Sequence, residues 1–232
     1  MRRAATLLLC IAGLAAAAEP LPDPMADPAV RAAVGRVNLA GYRSRTLCSG
    51  ALVAPDLVLT AAHCVTAPDG TPLPLDDIHF VAGWDRGAHQ GHGRAAAVTL
   101  HPDWAGTERG EVVSDLALIR LKAPLPQAPL ATAPPAPEPV PRALAGYAAT
   151  RPHSASARHP CDETARVGRY LVLACPAEGG LSGGPVLEHG PDRWRVVGVI
   201  AGGSSDMATP QTHAAGLGRA ILRLIPSVGG RD

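Results

Sequence analysis

From Gly35 onward, apolar residues fall in short runs, some alternating and some continuous, broken about every eight to twelve residues by turn chemistry. A period near two predicts strands rather than helices. Leu47 to Val53 and Leu57 to Thr60 flank Ala54-Pro55-Asp56, a hairpin signal. Ile78 to Ala82, Ala96 to Leu100 and Leu116 to Leu121 predict further strands. A second strand-rich half holds Ala143 to Ala148, Arg169 to Ala174, Pro185 to Leu187 and Trp194 to Ala201. Between the halves, Ala123 to Pro141 is dense in proline, which lacks an amide donor and cannot join a central strand. That stretch is expected to cross the surface. Helical spacing occurs only near the end, from about Gly216 to Leu224, where Ile221 and Leu224 lie three apart. Glu19 to about Arg31, rich in Pro, Asp and Ala, predicts an extended lead-in. Two strand-rich halves suggest two small antiparallel barrels packed together, although periodicity alone fits a sandwich as well.

Composition narrows the partners. Of 232 residues 47% are apolar but only 3% aromatic, so the core must be mostly aliphatic. Twenty-one basic against 20 acidic residues leave a net charge of +1. That balance argues against nucleic acid or an anionic membrane surface, which call for a basic excess or a basic face. Lys122 is the only lysine, and with the abundant Ala, Gly and Pro this hints at GC-rich, bacterial coding.

The first segment reads as a targeting signal. Arg2 and Arg3 precede a short apolar stretch from Ala4 to Leu14, and Ala16-Ala17-Ala18 offers a cleavage site before Glu19. The run is too short for a comfortable membrane span, and the mature chain has no other. Leu9 stands where a lipoprotein would carry a small residue before its cysteine, so Cys10 is read as part of the signal. A secreted or periplasmic protein is expected. Removing the signal leaves four cysteines in an oxidising compartment, hence two disulfides. Of three possible pairings, sequence proximity favours Cys48–Cys64 with Cys161–Cys175.

Three short segments carry candidate chemistry. Thr60-Ala61-Ala62-His63-Cys64 ends an apolar strand, so His63 can face a cleft; a Cys48–Cys64 link would clamp it, worth about 3 kcal/mol in the chain-entropy model. Ser114-Asp115-Leu116-Ala117-Leu118 sets a carboxylate at the start of a buried strand. Gly179-Gly180-Leu181-Ser182-Gly183-Gly184-Pro185 sets a hydroxyl on a turn too rich in glycine for ordinary strand or helix. A serine hydroxyl needs an adjacent base, an imidazole can take and return its proton, and a buried carboxylate fixes the imidazole tautomer. The amides of Gly180 and Ser182 would then face the developing oxyanion.

These segments resemble the trypsin/chymotrypsin family of serine peptidases, whose chain order His…Asp…Ser they match. The resemblance runs from about Val34 to the C-terminal helix and includes His101-Pro102-Asp103-Trp104. The spacing from Cys175 to Ser182 is similar to bacterial secreted members, including the V8-like group. The resemblance implies an all-β fold of two antiparallel six-stranded barrels with a short C-terminal helix. It divides the chain into a signal peptide at 1–18, an extended lead-in or propeptide at 19–33 and a peptidase domain at 34–228. Within that domain it implies barrels at about 34–122 and 142–228, joined by the crossover at about 123–141. It also implies a monomeric serine endopeptidase acting on peptide or protein through an acyl-enzyme on Ser182, with His63 as general base and Asp115 orienting it. No cofactor and no metal are expected. The alternatives are a catalytically weak member acting as a binding protein, and an esterase using the same triad.

The chain departs from the family at two places. Leu181 stands where animal trypsins carry the aspartate that receives a new N-terminal ammonium, and Ala33-Val34-Gly35-Arg36 is no convincing activation site. Activity without that switch is expected. Ala201 replaces the serine that usually bonds the catalytic carboxylate. The expected substrate pocket comprises Pro176, Ala177, Ile200, Ala201, Gly202 and Gly203, apolar and suited to small or aliphatic side chains. Glu178 is read as solvated. His89 and His92 form a His-x-x-His without nearby Cys or Glu, read as a solvated loop.

Overall fold

The computed structural model describes residues 20–39, 47–107, 111–204 and 208–226. The signal segment, Cys10 included, therefore lies outside the described residues. The first half of the chain supplies β1 (Val34–Leu39), β2 (Leu47–Ala54), β3 (Leu57–Thr60), β4 (Ile78–Ala82), β5 (Gly91–Leu100) and β6 (Ala117–Leu121). All pair antiparallel and close into a barrel in the order β1-β2-β3-β6-β5-β4. Alternation decides which face points inward: in β4, Ile78, Phe80 and Ala82 are buried while His79 and Val81 are partly exposed. Phe80, the only phenylalanine, packs so tightly on Gly35 that a Cβ there would lie 2.4 Å from its ring. In β2 every residue after Leu47 is buried, as expected of a strand covered on both faces.

The second half forms β7 (Ala131–Thr132), β8 (Arg142–Gly146), β9 (Ser156–Cys161), β10 (Glu163–Val167), β11 (Tyr170–Leu173), β12 (Pro185–His189), β13 (Trp194–Ser204) and β14 (Gln211–Gly216). Its ladder runs β10-β11-β14-β13-β12-β8-β9 and does not close by hydrogen bonds. The second barrel is thus a half-barrel beside the closed first one, within the expected all-β, two-barrel fold. Its outermost strands β9 and β10 are separated only by Asp162, so one bent stretch of chain supplies both ends of the sheet. Polar sequences hide β9 (SARHPC), β10 (ETARV) and β14 (QTHAAG) from a search for apolar runs.

The proline-rich crossover contributes only β7, which pairs in parallel with β13 through Arg195↔Ala131 and Val196↔Thr132. Farther on it is held by a buried ionic network. The Ala136 amide donates to Glu188 Oε1 at 3.0 Å, and Arg166 Nη1 donates to the Ala136 carbonyl at 2.7 Å. Arg142, fully buried, joins Glu188 (Nε to Oε1, 2.9 Å) to Glu163 (Nη1 to Oε2, 2.6 Å). Charges taken out of water on this scale persist only when paired and hydrogen-bonded, as these are.

The lead-in is helical where an extended segment was expected. Asp23 caps a 3-10 turn, Pro24–Ala26, and Asp27 caps α1 (Pro28–Ala33); each carboxylate accepts an amide two residues on at 2.8 Å. Proline follows each cap, where its missing N–H costs nothing. The turn packs on β8 and β9 while α1 packs on β1 and β2, so this segment bridges the two barrels. Val30 and Ala33 are fully buried. At the other end α2 (Arg219–Leu222) is shorter than its spacing predicted, because β14 continues through Gly216. No helix among the described residues is long and apolar enough to cross a membrane.

Candidate active site

His63 sits in a 3-10 turn, Ala62–Cys64, that ends β3. Asp115 follows a second such turn, Val112–Ser114, just before β6. Since β3 and β6 are neighbours in the barrel, with Thr60 opposite Ala117, their ends bring the two side chains together. The His63 amide donates to Asp115 Oδ1 at 2.9 Å, and His63 Nδ1 lies 2.6 Å from Asp115 Oδ2. Asp115 is 7% exposed at its side chain and His63 23%. A nearly dry carboxylate accepting from both amide and ring fixes Nδ1 as the protonated nitrogen, leaving Nε2 with its lone pair. Among the described residues His63 alone engages both oxygens of Asp115. Ala201 lines the cleft beside the pair and brings no donor.

Both expected disulfides are present: Cys48–Cys64 anchors the His63 turn to β2, and Cys161–Cys175 ties β9 to the segment before the serine turn. Cys48, Cys64 and His63 bring their ligating atoms close together, but the two sulfurs are bonded to each other and leave no thiolate for a metal.

Ser182 stands on the turn between β11 and β12, delivered by the other barrel. Gly180 (φ +92°) and Gly183 (φ +81°) adopt the left-handed region. Gly183 must also be a glycine for space, since a Cβ would lie 2.2 Å from Thr60 Oγ1 and 2.3 Å from the Ser49 carbonyl. The turn is fixed to β13 by Gly183 N–H to Ile200 O (2.7 Å) and Ile200 N–H to Gly184 O (2.9 Å). Among the described residues the amides of Gly180 and Ser182 donate to no protein acceptor. Ser182 Oγ and His63 form no hydrogen bond in this state. Such contacts are often long without substrate and tighten when it binds.

Two cavities meet here, sharing Gly202. One, of about 300 Å³, is lined by His63, Asp115, Trp104, Ala201, Gly202 and His213, among others. The other, of about 160 Å³, is lined by Ser182, Ala177, Glu178, Gly179, Ile200, Gly202 and Gly203. Of the expected pocket residues, Pro176 lines neither, for neighbours in extended chain face opposite ways and it is Ala177 that faces in. Glu178, expected to be solvated, lines the serine cavity, held by Thr150 Oγ1 and by Arg158 Nη2 at 2.6 Å. Its hydrogen bond to Thr150, with the Arg158 charge, keeps its carboxyl below the usual range. The pocket is thus apolar with one neutralised carboxylate at its side.

Sequence reasoning missed His213 and Tyr170. His213 lines the His63 cavity, and its Nδ1 lies 2.7 Å from the Tyr170 hydroxyl. His213 lies on a strand without an apolar signature, and only the pairing of β14 with β11 makes it a neighbour of Tyr170. Leu181 is 3% exposed and packs among Leu144, Cys175, Val186 and Ile200, an apolar site that offers nothing to an ammonium.

Solved structures share this arrangement of strands. A thermostable serine protease, AL20, from an extremophilic microorganism superposes with a TM-score of 0.72 at 20% identity, over 85% of this chain and 97% of that one. The protease Anisep from Arthrobacter nicotinovorans gives 0.68 at 21% identity, over 83% and 93%. At such identities the likeness speaks for the fold. The sequence itself matches the trypsin-like peptidase domain over residues 48–199, from β2 into β13 and through all three candidate segments. The chain belongs to the trypsin-like peptidase domain family and is a serine-type peptidase.

Proposed function

We propose that this protein is an exported serine endopeptidase in which Ser182 attacks the scissile carbonyl, His63 moves the proton and Asp115 holds His63. The observation that carries this reading is the double engagement of Asp115 by His63, through the amide and Nδ1, beside a cavity lined by Ser182. With Nδ1–H committed to Asp115, Nε2 is the base available to the Ser182 hydroxyl. It takes that proton as Oγ bonds to the carbonyl carbon, then returns it to the departing amine. The amides of Gly180 and Ser182 receive the oxyanion, each worth about 100- to 1000-fold in rate by analogy with other oxyanion holes. Water then repeats the sequence in reverse to free the acid.

The substrate is a peptide or protein. The serine cavity, with Ala177, Ile200, Gly202 and Gly203 on its walls, suits small or aliphatic side chains. Glu178 is already neutralised by Arg158 and offers little to a basic one. Two disulfides agree with an oxidising destination, periplasmic or extracellular.

Labelling with an organophosphonate, followed by mass mapping and profiling against a peptide library, tests the reading. A single adduct on Ser182, lost in Ser182→Ala, with cleavage after small or aliphatic residues is expected. Folded protein that acquires no adduct overturns it. A dominant preference for Arg, Lys or Glu overturns the pocket assignment alone.

A further inference from the structure

The His-x-x-His at His89 and His92 gains a third member from folding. His79 on β4 and His92 on β5 are not directly opposed, since His79 faces Arg94 and Val81 faces His92. They are diagonal neighbours on one face, and Nδ1 of His79 lies 2.8 Å from Nε2 of His92. Their rings are nearly parallel, 11° apart with centroids at 5.1 Å. His89, exposed on the loop joining the two strands, brings its ring centroid to 6.3 Å from that of His92.

We propose that His79, His89 and His92 form a binding site for one divalent transition-metal ion, clasping the β4–β5 hairpin. Zinc held tetrahedrally at about 2.0–2.1 Å from each nitrogen needs neighbouring nitrogens about 3.3 Å apart. The His79–His92 pair, hydrogen-bonded nitrogen to nitrogen, reaches that by moving the shared proton to the far ring nitrogen or to solvent, separating about half an ångström and turning both lone pairs toward the ion. His89 can turn in from its loop as third ligand, and water completes the shell. Imidazole donors select zinc, nickel or copper and not calcium or magnesium, which take oxygen.

Burial, then the nearby charges of His79, His89 and Arg94, hold the His92 pKa below its ordinary value. The Arg94 charge opposes a cation but is partly spent on Asp76, at 3.4 Å. None of the three histidines lines the His63 or Ser182 cavities, so this site is separate from the peptidase reading.

Zinc titration by calorimetry at about pH 7.5, with the histidine ring signals followed by NMR, tests the site. One equivalent should bind the native protein, and the signals of His79 and His92 should move together. His79→Ala and His92→Ala should each weaken binding about tenfold or more, and His89→Ala should also weaken it. Circular dichroism and phosphonate labelling report that the variants stay folded. Undiminished affinity in the His79→Ala/His92→Ala double variant overturns the proposal, as does a native protein that binds no zinc at about 1 mM.

Discussion

The backbone amide of Ser49 donates to the carbonyl of Ser182 at 2.8 Å, tying β2 of the first barrel to the turn that carries the candidate nucleophile on the second. The Ser49 hydroxyl then donates to the Gly180 carbonyl and accepts from the Tyr147 amide, both at 2.8 Å. One fully buried serine thus fixes the chain on either side of Leu181. In Ser49→Ala the amide bond survives but the Gly180 carbonyl and Tyr147 amide lose their partner, at a cost of about 1–3 kcal/mol. We expect a lower denaturation midpoint and a lower kcat with KM little changed. Native kcat would mean that the turn holds its shape without the hydroxyl.

The glycines of the serine turn are not equivalent. Gly183→Ala places a Cβ 2.2–2.3 Å from Thr60 Oγ1 and the Ser49 carbonyl, on a backbone at φ +81°. Gly179→Ala meets nothing nearer than 3.9 Å. The first substitution should abolish activity and cost several kcal/mol, roughly the 4–5 at the diagnostic end of single mutations. The second should be close to neutral. Thermal unfolding and turnover of the two variants side by side provide the check.

Asp115→Asn should leave the fold in place and cut kcat by about 10⁴-fold, because the amide no longer enforces the Nδ1–H tautomer. Steady-state kinetics decides this, with circular dichroism as the control. A loss of less than about tenfold would remove Asp115 from the mechanism.

Much of the candidate site was legible in the sequence because its signals are local. His63, Asp115 and Ser182 each sit within a short string whose neighbours set the backbone, and proximity picked the right cysteine pairs. What escaped was non-local. Ser49 looks like any small residue in a buried strand until the second barrel is laid against it. Glu178 meets Arg158 only once β9 is folded beside the serine turn, and Glu188, one residue past the predicted strand Pro185 to Leu187, meets Arg142 only across the β8–β12 pair. The helical lead-in is a different lapse: Asp-Pro at 23–24 and at 27–28 was a local capping signal, outweighed by the proline content.

Acid should weaken the buried ionic network of the second barrel. Burial alone would raise the Glu163 pKa, but its bonds to Arg166 and Arg142 prevail and hold it below the ordinary value. A depressed carboxyl contributes stability that is complete above its unfolded pKa, about 4.3, and is lost as pH falls through the folded one. Melting temperature should therefore drop below about pH 4.3, and the drop should be shallower in Glu163→Gln. At neutral pH that variant should be destabilised by about 1–3 kcal/mol, since Arg142 and Arg166 lose a charged partner while Arg142 keeps Glu188. A Glu163→Gln melting profile parallel to the native one would contradict the assignment.

A chain beginning at Val34 should be less stable than one beginning at Glu19, and no more active. Starting there removes Val30 and Ala33 from the core and the Val30 carbonyl to which the Val34 amide is bonded. Thermal unfolding and turnover of the two forms test this. Activity confined to the shorter form would restore the trypsin-type switch.

The bridging lead-in has a further consequence. The candidate base belongs to one barrel and the candidate nucleophile to the other, so whatever sets the spacing of the barrels also sets the reach of the proton transfer. Here a piece of chain ahead of the first strand acts as a rivet through both halves. In trypsin-type zymogens the corresponding stretch is a safety catch, released by a cut. Here a cut at that point would take buried residues out of the frame that sets this reach.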